Sequence, residues 1–210
     1  MRKAGINVEV YDQHVEAADS IFPDWFITAR NEIFPEGVLI LSAMKNKERR
    51  KERNPEMIES LRKRYRNVID LTCFEAEGKA LELKGALVTD WVNGKIYCSL
   101  SGRAHEEVFN YLITSLNIVA LKQGSKKRVR GVTFHATDNE HQEIYHTDCM
   151  MTLLSKHAVV CLDAVTDLNE KEHLINEITS KDLNIVPHKI LELSHSEASQ
   201  MCSNMFDVLD

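Results

Sequence analysis

No uninterrupted apolar run in the 210-residue sequence approaches the roughly 20 residues that a membrane-crossing helix needs. Its longest runs, such as Val38–Leu41 and Ala158–Leu162, have the length of strands, so a soluble protein without membrane contact is expected. Positions 1–10 hold no hydrophobic segment of signal-peptide length, which points to the cytoplasm. Basic excess is also missing: the formal charge is −6, so no overall positive field awaits a phosphate backbone, and nucleic acid is not an expected partner. Glycine and proline are few and stand singly, so no linker divides the chain, and residues 1–210 are expected to form one domain. The five cysteines, Cys73, Cys98, Cys149, Cys161 and Cys202, are odd in number and show no C-x-x-C spacing. Neither a zinc site nor a complete disulfide framework is indicated, and reduced thiols are expected. G-x-G-x-x-G, G-x-x-x-x-G-K-[ST] and H-E-x-x-H are all absent, which removes the usual support for dinucleotide, phosphate-loop and zincin readings.

What is present is an alternation of strands and helices. At 43% apolar residues the chain can bury a substantial core. Helix-period stretches cover Pro55–Tyr65, Ala104–Leu116 and Asn169–Thr179, with Val108, Tyr111, Leu112 and Leu116 at three- and four-residue steps. Asn54 before Pro55 makes a cap and first-turn pair, and Asp167 can cap the third helix. Short apolar runs lie between them: Val8–Val10, Val38–Leu41, Val68–Leu71, Ala86–Val88, Ile118–Leu121, Ala158–Leu162 and Leu183–Val186. Recurrence at intervals of very roughly 50 to 70 residues suggests a repeated supersecondary unit set around an axis, rather than one doubly wound sheet.

Four segments carry candidate chemistry. In Tyr145-His146-Thr147-Asp148-Cys149 the context is strand-like, so His146 and Asp148 are predicted to share one face while Cys149 points to the other. An imidazole exchanges protons near neutral pH, and a carboxylate holds a planar cation by paired charge-assisted hydrogen bonds. A lone His-x-Asp is more often a locally bonded strand end than a reactive pair. Glu82 lies just before an apolar segment, Gly85–Val88, read as a strand from which a carboxylate can face a cleft; with Glu75 and Glu77 it could equally belong to a solvated acidic loop. Arg103 follows the strand Ile96–Leu100 and precedes a helix, where it could pair with a substrate carboxylate. The basic run Lys45–Arg53 reads as a solvated helix face, with Arg49 or Arg50 its candidate functional member.

Seven segments in this order resemble the arginine deiminase, amidinotransferase and dimethylarginine dimethylaminohydrolase superfamily, nearest to amidinotransferase-related hydrolases of arginine or citrulline. They are Ile21-Phe22-Pro23-Asp24-Trp25-Phe26, Arg49-Arg50-Lys51-Glu52-Arg53, Val68-Ile69-Asp70-Leu71 with Phe74-Glu75, Leu81-Glu82 with Gly85, Leu100-Ser101-Gly102-Arg103, Tyr145-His146-Thr147-Asp148 with Met150-Met151, and Ala158-Val159-Val160-Cys161-Leu162. The resemblance implies a pentein fold, a pseudo-fivefold α/β propeller, with no metal and no cofactor. It implies a small guanidino or ureido amino acid as partner, held in an axial cleft where a cysteine thiolate attacks the central carbon. Carried over by residue, His146 is the general acid and base and Glu82 the carboxylate that orients the guanidinium. Asp148 holds its other nitrogens, Arg103 with Arg49 grips the α-carboxylate, and Asp24 is a further guanidinium contact.

Three departures from the family pattern set further expectations. The family's nucleophile lies on a Gly-rich segment beyond an element like Ser203-Asn204-Met205, which only Phe206–Asp210 follow here. The propeller is therefore expected to be incomplete at the C-terminus, and the N-terminus could be incomplete too. Phe22-Pro23-Asp24-Trp25 is one residue shorter than the usual pattern, which would displace Asp24 from the cleft, and Leu83-Lys84 stand where small residues often follow the carboxylate. Two functions are compatible with this combination: a C–N hydrolase of arginine-like substrates lacking its nucleophile segment, or a catalytically inactive remnant that serves as a binding or interaction module. Unpaired strand edges of an incomplete propeller would favour association into homo-oligomers.

Overall fold

The structure, a computed structural model, describes residues 3, 5, 7–12, 16–17, 19–180 and 185–205. These residues form the same ββαβ unit three times. In the first unit β1 (Phe26–Ala29) runs antiparallel to β2 (Val38–Leu41), and α1 (Pro55–Arg64) returns the chain to β3 (Asn67–Asp70), which pairs parallel with β2. β4 (Val88–Asp90), β5 (Lys95–Ser99), α3 (Glu106–Lys122) and β6 (Arg130–Phe134) repeat the pattern, and β7 (Met151–Leu153), β8 (His157–Val160), α4 (Leu168–Thr179) and β9 (Lys189–Glu192) repeat it again. Each sheet has three strands with the second in the middle. The recurrence expected from the sequence is thus real, while the described residues form no closed ring. Residues 183 and 184 of the apolar run Leu183–Val186, and Phe206–Asp210, lie outside the described residues.

Burial explains the order of the strands. A central strand is covered on both faces, and β2 (VLIL) and β5 (KIYCS) are buried at every position. Helix starts follow the capping chemistry: Asn54 accepts from the Met57 amide at 3.0 Å with Pro55 in the first turn, and Asp167 accepts from Asn169 and Glu170. α3 packs so closely on β6 that a Cβ at Gly131 would lie 2.4 Å from the Phe109 ring. One apolar cluster, including Ile40, Leu83, Ile96 and Leu112, joins the first two units; another, including Tyr97, Phe134, Met150 and Val160, joins the second and third. Between those two units Lys95 is buried and its Nζ lies 3.0 Å from Glu177, which also binds Arg130. No helix among the described residues is long and apolar enough to cross a membrane.

Three local expectations differ from the structure. Leu83–Ala86 form a single helical turn, α2, so the strand begins only at Val88. Ile118–Leu121 continue α3 rather than forming a strand, because nothing breaks the helix before Gln123. Much of the basic run turns inward: Arg49 is buried against Glu52 and Asp24, while Arg50 and Arg53 both engage Glu75.

Candidate active site

The site is assembled from segments that flank the strands. Asp24 directly precedes the β1 region, Arg49 opens a 3-10 turn (Arg49–Glu52), Glu82 caps α2, Arg103 lies in the loop before α3, and His146 and Asp148 precede β7. Asp24, Arg49, Lys84, Arg103, His146 and Asp148 line one cavity of about 630 Å³, with Phe22, Tyr145, Cys149 and Met201 among its other walls. Glu82 is fully buried just behind this wall and reaches it through its partners.

The centre of the arrangement is a hydrogen bond of 2.8 Å between His146 Nε2 and Glu82 Oε2. The other carboxylate oxygen accepts from the Lys45 amide at 3.2 Å, and Arg103 donates to Oε2 at 3.3 Å. Burial alone would raise the Glu82 carboxyl, but the His146 hydrogen bond, the Arg103 charge and the Lys45 N–H outweigh it and hold the group below the usual carboxylate range. The imidazole is wedged: a Cβ at Gly85 would fall 2.4 Å from Nδ1, so only glycine leaves room for the ring. Arg103 lies over the Tyr145 ring at 4.4 Å, and Tyr145 in turn packs edge-on against His146.

His146 and Asp148 reach the cavity by a route other than strand alternation. Thr147–Cys149 form a 3-10 turn, which carries Cys149 to the same cavity instead of the opposite face. The buried Thr147 hydroxyl holds the turn in place, donating to the Ala86 carbonyl at 2.6 Å and accepting from the Ser99 amide at 2.7 Å. Burial, and the Asp24 charge beyond it, push the Asp148 carboxyl up to about 6, against the opposing pull of His146 and Lys84. Burial, then the Asp148 carboxylate, push the Cys149 thiol up to about 12, so it is a neutral thiol near pH 7. Cys98 and Cys161 are buried with thiols raised chiefly by desolvation.

Asp24 is not displaced by the shorter Phe22–Trp25 segment: it lines the cavity and accepts from Arg49 Nη1 at 2.9 Å. Arg49 also donates through Nε to Glu52 at 2.7 Å and through Nη2 to the Phe22 carbonyl at 2.9 Å, so its guanidinium is a fixed part of the wall. Of the departing pair, Leu83 points into the core and Lys84 into the cavity. Sequence reasoning passed over Thr147, Glu52 and the Lys45 amide as supports. Glu75, given no role of its own, ties the Met44 amide, Arg50 and Arg53 beneath the site. A charged residue type that pairs with a run of arginines was the available signal.

In fold the chain is similar to several solved structures at low sequence identity. ArgZ, an arginine dihydrolase of the ornithine-ammonia cycle in cyanobacteria, matches with a TM-score of 0.65 at 17% identity over 92% of this chain and 25% of that one. AgrE in its ternary complex with ornithine and NAD+ matches with 0.68 at 15% identity over 98% of this chain and 26% of that one. A dimethylarginine dimethylaminohydrolase carrying an adduct with S-methyl-L-thiocitrulline matches with 0.52 at 16% identity, over 91% and 59%. The chain therefore spans between a quarter and three fifths of the length of these structures. A comparison with curated protein sequences gave no match. The sequence profile of the eukaryotic N,N dimethylarginine dimethylhydrolases matches residues 1–210, and the chain belongs to that family.

Proposed function

We propose that the cavity binds the guanidinium or ureido group of an arginine-like amino acid and supplies the acid–base half of a C–N hydrolase. The observation that carries this reading is the buried Glu82–His146 pair set against a cavity whose wall also presents the Asp148 carboxylate. Asp148 takes the guanidinium nitrogens, with Asp24 a second carboxylate beyond it, and Glu82 orients the imidazole. Arg103 faces the carboxylate end of the ligand, and Arg49 braces Asp24 beside it. In guanidino hydrolysis a thiolate adds to the central carbon, the amine leaves with a proton, and water then displaces the sulfur to leave a ureido product. In this reading His146 gives the proton to the departing amine and takes one from the water.

Cys149, Cys98 and Cys161 do not supply the thiolate, a view supported by the neutral Cys149 thiol and the desolvated Cys98 and Cys161. In this reading the three ββαβ units form one domain and part of a five-unit ring, and the 210 residues bind without turnover. The alternative is a module whose binding has no catalytic purpose, favoured by Lys84 in the cavity. Thermal unfolding with L-arginine, L-citrulline and NG,NG-dimethylarginine, paired with assays for ammonia, dimethylamine and ureido product, tests the reading. Stabilisation by at least one ligand is expected, by RT ln(1 + [L]/Kd). If none of the three shifts the unfolding midpoint, the reading fails. Turnover by this chain that Cys149→Ser abolishes would return the nucleophile to Cys149.

A further inference from the structure

Three permanent cations line the cavity, and they differ in how far their charge is already used. Arg49 is matched by Asp24 at 2.9 Å and Glu52 at 2.7 Å, and Arg103 by Glu82 at 3.3 Å. Lys84 alone of the three has no salt bridge to another described residue, yet its charge is felt by Asp148. Its ammonium offers three donors to whatever enters. Asp148 is the counterpart of opposite sign: a cavity carboxylate with no cation in salt-bridge contact among the described residues.

The backbone that carries Lys84 is fixed. Glu82 before it is held by His146 and Lys45, and Gly85 after it is pressed against the imidazole, so α2 cannot slide without breaking the Glu82–His146 contact. The cavity thus holds one uncommitted positive group and one uncommitted negative group. A ligand that carries an anionic and a cationic end matches this pattern, and each end completes a pair that the protein leaves open. We infer that Lys84 docks the α-carboxylate of a guanidino or ureido amino acid, leaving Asp148 for the other end. This rests on the guanidino-site reading and gives it a selectivity: substrates retain their carboxylate, and simple guanidino amines are poor ligands.

Calorimetric titration of the chain with L-arginine and with agmatine, which is arginine without its carboxylate, separates the possibilities. The protein is expected to bind arginine about ten-fold more tightly than agmatine, the size of one charge-assisted pair. Lys84→Met should remove most of that preference by weakening arginine alone, and Lys84→Arg should restore it. An unchanged far-UV circular dichroism spectrum and unfolding transition show that the variant is folded. If Lys84→Met keeps the full preference while agmatine still binds, the docking role is overturned and the guanidino reading stands. If it tightens both ligands equally, Lys84 acts as a repelling charge, and the docking role is again overturned. If neither ligand binds the unaltered protein, the guanidino reading fails and the inference with it.

Discussion

Glu82 Oε2 and His146 Nε2 lie 2.8 Å apart although 64 residues separate them in sequence, and the carboxylate is completely buried. Removing one member of a buried, hydrogen-bonded pair leaves the other without compensation. Glu82→Ala should therefore lower stability by about 3–5 kcal/mol and abolish ligand binding, read by denaturant unfolding and calorimetry. Glu82→Gln, which keeps the shape and one acceptor, should retain more of the stability while still losing affinity.

Gly85 is the second half of that relationship. An added Cβ would meet His146 Nδ1 at 2.4 Å, so Gly85→Ala must push the ring from its place. Overpacking of this kind costs about 1–3 kcal/mol, and ligand affinity should fall by more than the stability loss alone implies. A crystal structure of the variant with the imidazole unmoved would show that the wedge is not what fixes it.

The Asp148 carboxyl sets a pH dependence with a definite sign. Its folded value, pushed up to about 6 by burial and Asp24, lies above that of an unfolded aspartate. The protonated form is favoured in the fold, so this group's stabilising contribution is full at acid pH and is lost as pH rises from about 4 through 6. Ligand-free protein should lose that increment over this window, and Asp148→Asn should flatten it. Binding of a cationic guanidinium should strengthen over the same window, because the carboxylate it needs is then formed. Glu82 acts oppositely: its lowered value gives stability that disappears as the solution becomes strongly acid.

Away from the cavity, Glu177 is the partner of buried Lys95 and joins the second and third units. Glu177→Leu strands the ammonium and should destabilise the protein by about 3–5 kcal/mol, whereas the double change with Lys95→Met should recover much of the loss. A double variant no better than the single one would mean that the pair does not couple the units.

Where a signal is local, the sequence is a good guide. Asn54-Pro55 and Asp167 mark helix starts because the cap and the amides it satisfies lie within three residues. β2 and β8 are visible because central strands need continuous apolar runs. The six candidate side chains also come together: five line the cavity and Glu82 is bonded to His146 behind its wall. What failed depends on distant partners. His146-Thr147-Asp148 looks like a strand, but the Thr147 hydroxyl binds Ala86 and Ser99, far away in sequence, and the backbone folds into a 3-10 turn around it. The Lys45–Arg53 run looks solvated, but Glu75 and Asp24 draw its arginines inward. No periodicity reports such pairings.

The most direct measurement is a crystal structure of the chain soaked with NG,NG-dimethyl-L-arginine. The guanidinium should lie in the cavity between the Asp148 carboxylate and the His146 ring, with Glu82 still bonded to the imidazole and the ligand carboxylate turned towards Lys84. A ligand bound outside this cavity, or inside it with its guanidinium away from both Asp148 and His146, would contradict the proposed site.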